Sequence, residues 1–163
     1  MGTNAVDGLA NMKRIADYIA DASNGKTWLS FPAFKWVHDK NASGTTYAAG
    51  TNGVWYLPSF GEIQHLHCAF NGKPAETWTF PGSDRPGQYY PSWGGNDAAA
   101  NAAFNDRLTV AGGTALKQGP SNNYLSSSES GFQLISTMLF YNGAIGVAYK
   151  GTGFIYTRAI RFF

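Results

Sequence analysis

Over residues 124–163, apolar and β-branched residues fall into short runs separated by tight-turn residues. Residues 124–129 open the stretch, and residues 133–140 follow as an apolar, β-branched run. Asn142-Gly143 then supplies two residues that tolerate the positive φ angles of a type I′ hairpin turn. Residues 144–150 are the return strand, Gly151-Thr152-Gly153 a second turn, and residues 154–163 a long final strand. A segment apolar to its last residue is expected to pair inside a sheet. The pattern predicts a C-terminal β-meander that the upstream chain covers.

Upstream the period lengthens. Leu9, Met12, Ala16, Ile19 and Ala20 form one apolar helical face, capped by Asp7 and stopped at Asn24-Gly25. Lys13 and Asp17 sit four apart on the outer side. Over residues 28–39, Phe34, Trp36 and His38 alternate with Lys35, Val37 and Asp39, which predicts a short strand. Residues 41–53 read as a loop. Ser59-x-x-Glu62 has the spacing of a capping box, with Leu57 and Ile63 as its hydrophobic staple. Ile63, Leu66 and Phe70 continue one face of that second helix to a stop at Asn71-Gly72. Residues 80–95 carry three prolines and four glycines among aromatics, which predicts an irregular excursion. Asn96 or Asp97 caps a third helix through Ala98, Ala103, Phe104 and Leu108, stopped by Gly112-Gly113. Residues 118–123 are loop. There is no internal repeat and no linker, so residues 1–163 form one domain. It is α+β, with helices packed on a small antiparallel sheet.

Composition narrows the function classes. At 163 residues the chain can bury a real core, and 15% aromatics with 13% charged residues set it apart from disordered chains. A formal charge of +2 with no Lys or Arg stripe argues against nucleic acid. The single cysteine, Cys68, excludes an intrachain disulfide and a four-cysteine zinc site. No apolar run reaches the ~18–20 residues of a membrane span, so no membrane insertion is expected. No signal-peptide pattern opens the chain. Met1-Gly2-Thr3 fits either a native N-terminus or an excised domain with an added Met.

The reactive side chains are poorly placed for chemistry. On a helix, His65 and His67 project about 200° apart and cannot share one ion. Glu62 with His65 offers only two ligands, so no metal is expected. Cys68 beside an apolar helical face reads as a small buried hydrophobe. Ser126-Ser127-Ser128 lacks the Gly-x-Ser-x-Gly elbow of a nucleophile. Glu129 is the one carboxylate after Asp106, which leaves a paired-carboxylate hydrolase without its second acid. It reads as an acceptor for backbone or serine donors at a strand end, or as a partner for Arg158 or Arg161. Trp93-Gly94-Gly95-Asn96-Asp97 lacks the spacing and the Glu-Pro-Asn partner of a calcium-lectin signature. No cofactor and no enzyme activity are expected. Phe132, Leu134 and Tyr141, by contrast, are large groups at turns and strand ends, where polar residues are the norm. Aromatics and small polar residues on loops of a rigid sheet make a binding face.

Two further motifs connect these pieces. Gly53-Val54-Trp55-Tyr56-Leu57-Pro58-Ser59 with Glu62-Ile63-x-x-Leu66 resembles the G-W-x-L-P-[ST]-x-x-E-L-x-x-L signature of bacterial and phage domains related to C-type lectins. Tyr124-Leu125-Ser126-Ser127-Ser128-Glu129 resembles that family's Y-W-S-S-T-E, and Lys150 with Arg158-Ala159-Ile160-Arg161 its closing K…V-R-[AP]-V-R. Asp7-Gly8-Leu9-Ala10-Asn11 and the helix from Asn101 to Gly113 are similar to features of its gut-Bacteroides branch. Leu125 and Ser136 depart from the pattern, since relatives often carry Trp there. The lone Cys68 cannot form the copper-binding cysteine pair of the formylglycine-generating enzymes that share the fold.

The resemblance implies a C-type lectin-like fold without the classical calcium site, on a bacterial cell surface, a fimbria-like structure or a phage virion. It also implies kinship with the variable proteins of diversity-generating retroelements, whose C-terminal codons are mutated at adenines. The expected function is ligand or receptor binding through a changeable face within residues 124–163, on an unknown protein or glycan of a cell surface. The expected contact set is Ser130, Phe132, Gln133, Leu134, Ser136, Thr137, Leu139, Tyr141, Asn142, Ala144, Gly146, Ala148 and Thr152, of which strand alternation turns about half outward. The alternative is a fixed structural or adhesive tip subunit of a surface fibre or phage tail. An enzyme ranks third. The sequence leaves the oligomeric state open.

Overall fold

The computed structural model describes residues 7–42, 44, 54–74, 96–150 and 155–162. Among them lie four helices and two small antiparallel sheets, an α+β fold. The predicted excursion at 80–95, most of the loop at 41–53 and the turn at 151–153 lie outside the described residues.

Helix α1 (Gly8–Ala20) starts where predicted, with the Asp7 carboxylate accepting from the Ala10 N–H at 2.8 Å. Its buried face is Gly8, Asn11, Met12 and Ile15, while Leu9 and Ala20 of the predicted face are exposed. Two long-range hydrogen bonds turn it. Asn11 Nδ2 donates to Ser127 Oγ at 2.9 Å, and the Gly8 N–H donates to Glu62 Oε2 at 3.0 Å. A 3₁₀ turn, Ala22–Asn24, then ends at Gly25 with φ of 56°, the predicted stop.

Helix α2 (Pro32–Lys40) replaces the strand predicted at 28–39. Proline at the first helical position is preorganised for a helix start. Phe34 and Val37, three apart, are buried, while Trp36 and His38 are exposed. Helical spacing therefore overrides the apparent alternation. Asn41, at the C-terminus of α2, acts as a surrogate strand for β1 (Val54–Tyr56). Its Nδ2 donates to Trp55 O at 2.8 Å and its Oδ1 accepts from Trp55 N at 2.9 Å.

The capping box opens α3 (Phe60–Phe70) as predicted: Ser59 Oγ accepts from Glu62 N at 3.3 Å, and Glu62 Oε2 accepts from Ser59 N at 2.7 Å. Leu57 and Ile63, the staple pair, are both fully buried. Gln64, His67 and Cys68 are buried too, so α3 buries most of its surface and leaves only His65 and Ala69 exposed. His67 is fully buried and meets Phe140 edge-on with ring centroids 5.5 Å apart. Asp97 caps α4 (Ala98–Val110) by accepting from Ala100 N at 3.1 Å, and Gly112 at φ 76° ends it as predicted.

Strands β2 (Asn123–Gly131), β3 (Leu134–Leu139) and β4 (Ile145–Tyr149) form the predicted antiparallel meander. The β3–β4 turn is not type I′, because only Gly143, at φ 70°, has a positive φ. Leu139 N donates to Ala144 O and Gly143 N to Leu139 O, which makes a longer loop. The fully buried Phe140, 4.7 Å from the Tyr124 ring centroid, anchors that loop in the core. The predicted final strand is split. Tyr156 bridges Tyr124 in parallel, and among the described residues of that stretch only β5 (Ile160–Phe162) is strand, paired with β1 in the second sheet.

One irregularity ties the layers together. Leu125 pairs with Thr137 and Glu129 with Ile135, so three serines, Ser126 to Ser128, oppose the single residue Ser136. This bulge frees their groups for other elements. Ser126 Oγ donates to Ser136 O at 2.8 Å, Ser127 N donates to Pro58 O at 2.7 Å, and Ser128 Oγ accepts from Phe60 N at 2.9 Å. With Asn11 on Ser127, the bulge links α1, the entry to α3, and the sheet. Adjacent residues of β2 serve separate cores. Tyr124 joins Phe60, Ile63, Phe70, Met138 and Phe140, whereas Leu125 packs against Met12, Ile15, Phe34, Val37 and Leu57.

Candidate binding face

The predicted contact residues divide between the two ends of the meander. Ser130 to Leu134 lie at the β2–β3 tip, and Leu139, Tyr141 and Asn142 at the β3–β4 loop. The six residues of β3 separate these ends by roughly 20 Å, so the set is not one contiguous patch.

The β2–β3 tip is the more exposed end. Phe132 is 94% exposed and Gln133 is exposed, with Ser130 and Leu134 half-buried. The tip is pinned by the residue that follows β4: Lys150 N donates to Gln133 O at 3.0 Å, and Lys150 Nζ to Phe132 O at 3.1 Å and to the Glu129 carboxylate. Glu129 thus takes Lys150 as ion-pair partner, where the sequence pointed to Arg158 or Arg161. Arg158 instead donates to Thr114 O at 2.8 Å, and the Arg161 guanidinium lies over the Trp55 ring at 5.1 Å.

Several predicted positions do not reach the surface. Ser136, Thr137 and Ala144 are buried. Ser136 faces the serine bulge, and Thr137 pairs with both Leu125 and Gly146 in the middle of the sheet. Ala144 closes the tight loop, its N–H donating to Asn142 Oδ1 at 2.9 Å. Leu139, Tyr141, Asn142, Gly146 and Ala148 are half-buried. Thr152 lies outside the described residues.

Sequence reasoning missed Val147 and Tyr149, which are 45% and 66% exposed. Tyr149 pairs with Leu134 beside the tip, so Phe132, Leu134, Val147 and Tyr149 bring large groups to one end of the sheet. The signal lay in phase. Ile145, Val147 and Tyr149 share one strand face that begins in the core at Ile145 and emerges toward the end of β4. The small residues Ala144, Gly146 and Ala148 lie on the alternate phase.

Behind the sheet, α1 and α2 leave a cavity of about 350 Å³ that reaches from Ile15 and Phe34 to Tyr149 and Lys150. Among the described residues no group of three or more His, Cys, Asp or Glu is arranged to hold a metal ion, and Cys68 is a buried free thiol. No helix among them is long and apolar enough to cross a membrane. Comparisons with protein-family models, curated proteins and solved structures found no match to this chain.

Proposed function

We propose that the chain is a non-enzymatic binding protein of C-type lectin-like architecture. It is a retroelement-diversified variable protein of a gut-Bacteroides or phage surface that engages a protein or glycan on a cell. Its working face is the β2–β3 tip with the end of β4: Ser130, Phe132, Gln133, Leu134, Val147 and Tyr149. The observation that carries this reading is the display of Phe132, Val147 and Tyr149 on a tip held by Lys150. Aromatic groups on a preorganised support bind with little ordering cost. Supporting it further, the motif residues Gly8, Asn11, Ser59, Glu62 and the serine triplet bond to one another within the scaffold, leaving the tip to vary.

The test compares the wild type with a Phe132→Ser/Val147→Ser/Tyr149→Ser variant on glycan arrays and on intact gut-bacterial cells. The expected result is a ligand whose binding falls at least tenfold in the variant while the melting temperature holds. Binding unchanged by the triple substitution would overturn the assignment of the face. Concentration-dependent self-association that the variant abolishes, with no foreign ligand, would favour a fibre subunit instead.

A further inference from the structure

Strand β4 is an open edge of the meander, and we propose that it pairs antiparallel with β4 of a second copy of this chain to give a closed two-fold dimer. The sheet runs in the order β2-β3-β4, so among the described residues β4 has a neighbour on one side only. Its register against β3 shows which main-chain groups are committed. Leu139 N donates to Ala144 O and Lys150 N to Gln133 O, which puts residues 144, 146, 148 and 150 in the hydrogen-bonded phase of the ladder. The N–H and C=O groups of Ile145, Val147 and Tyr149 therefore point away from β3, and no other described element hydrogen-bonds to them. The far side of β2, by contrast, is closed, with Leu125 N donating to Tyr156 O and Tyr156 N to Asn123 O. Strand β4 also lacks the devices that keep an edge unpaired. Ile145-Gly146-Val147-Ala148-Tyr149 holds no proline and no charge, and its pairing with β3 has no bulge. Val147 and Tyr149 are exposed, so the edge is open to a partner.

A second copy fits this edge by symmetry. With the two-fold axis at Val147, that residue faces Val147 of the second copy, and Ile145 of each copy faces Tyr149 of the other. This is the one antiparallel register in which all three outward residues pair among themselves. A shift of two residues either way carries one of them past the strand end. The register forms roughly six interchain main-chain bonds. Large apolar side chains meet on one side of the sheet, while Gly146 meets Ala148 on the other. No like charges are opposed, because Lys150 comes opposite Ala144 and keeps Glu129 as its ion-pair partner. Strand side chains stand roughly perpendicular to the sheet, so pairing at the edge leaves Val147, Tyr149 and both tips on display. The association ends at two copies, unlike that of a fibre subunit. It needs no foreign ligand, so its test stands apart from the proposed function.

The experiment is sedimentation velocity of the full chain over a concentration series, beside Val147→Lys, Val147→Glu and their equimolar mixture. The wild-type mass is expected to rise from one chain to two and stop there. Each charged variant alone is expected to dimerise at least tenfold more weakly, because residue 147 meets itself at the axis. Mixing the two opposes unlike charges and is expected to restore that loss. Amide hydrogen exchange of the wild type, which needs no variant, is expected to slow at Ile145, Val147 and Tyr149 as the dimer forms. A wild type that stays monomeric at every concentration would overturn the proposal and leave the edge to a foreign strand. Growth beyond two copies would overturn the closed pair. A mixture of folded variants no tighter than either alone, or unchanged exchange at the three amides in the dimer, would overturn the pairing through β4.

Discussion

Alanine in place of glycine inside a helix ordinarily stabilises by up to about 1 kcal/mol, so Gly8→Ala offers a test in which the sign itself is diagnostic. Gly8 opens α1 against the entry to α3. A Cβ built there would lie 2.3 Å from Leu57 O, 2.7 Å from Ser59 N and 2.7 Å from Glu62 Oε2. Two of those neighbours, Leu57 O and Ser59 N, are backbone atoms, the second held by the capping box, so they cannot rotate away. Restoring a carbon–oxygen contact of about 3.3 Å requires α1 to retreat by roughly 1 Å. That movement breaks the 3.0 Å bond from Gly8 N to the Glu62 carboxylate, a charged-acceptor bond of about 1.5–3 kcal/mol. It also strains the buried Asn11–Ser127 bond one helical turn on. Together with overpacking of about 1–3 kcal/mol, the expected loss is about 3–5 kcal/mol. At roughly 2–4 °C per kcal/mol for a chain this size, that lowers the melting temperature by roughly 6–20 °C. Calorimetry and urea unfolding of Gly8→Ala, beside an Ala102→Gly control on the exposed side of α4 expected to lose about 1 kcal/mol, measure it. Gly8→Ala as stable as the wild type would refute the proposed close approach of α1 to α3.

Other outcomes follow from the same contacts. Burial, with repulsion from the Glu62 carboxylate, pushes the Tyr56 phenol up to about 12. The folded state thus holds that proton more tightly than the unfolded chain, whose pKa is about 10. The associated stability is complete below pH ~10 and lost as pH rises through ~12, an amount up to about 2–3 kcal/mol. Tyr56→Phe should remove that part of the alkaline loss, and a pH series of urea midpoints that runs parallel for the two proteins would refute it. Ser128→Ala should cost about 1–2 kcal/mol in chemical denaturation, because Phe60 N at the start of α3 loses its acceptor. Phe132→Ser, at the exposed tip, should stay within about 0.5 kcal/mol of the wild type. Phe140→Ala, which removes a fully buried ring packed on Tyr124, His67 and Phe70, should cost about 3–5 kcal/mol by the same assay.

What was legible in the sequence was local. Asp7, Ser59 with Glu62, and Asp97 each announce a helix start, because a cap needs only residues three positions away. Gly25, Gly72 and Gly112 mark stops for the same reason. Long-range demands set the rest. Gly8 and Asn11 look like surface residues until α3 and β2 arrive to meet them, so the face of α1 was misjudged. The helix at Pro32–Lys40 hid behind a short alternation that Phe34 and Val37 contradict only once their common burial is known. Asn142-Gly143 carries a type I′ signature, but burial of Phe140 lengthens the turn. The expected contact set differs from the exposed surface by phase as well as by place. A one-residue shift moves a side chain to the opposite face, and β4 shows Val147 and Tyr149 where Ala144, Gly146 and Ala148 had been expected.

Repeated sequencing of this gene's 3′ region across isolates of the source population tests the central claim most directly. The account predicts differences concentrated in the codons of the displayed residues 130, 132–134, 147 and 149, at adenines of a nearby template copy. Gly8, Glu62, Ser126 to Ser128 and Ser136, which hold the scaffold, should stay constant. Codons 130–149 as invariant as codons 55–66 would contradict it and leave a fixed binding or fibre component in its place.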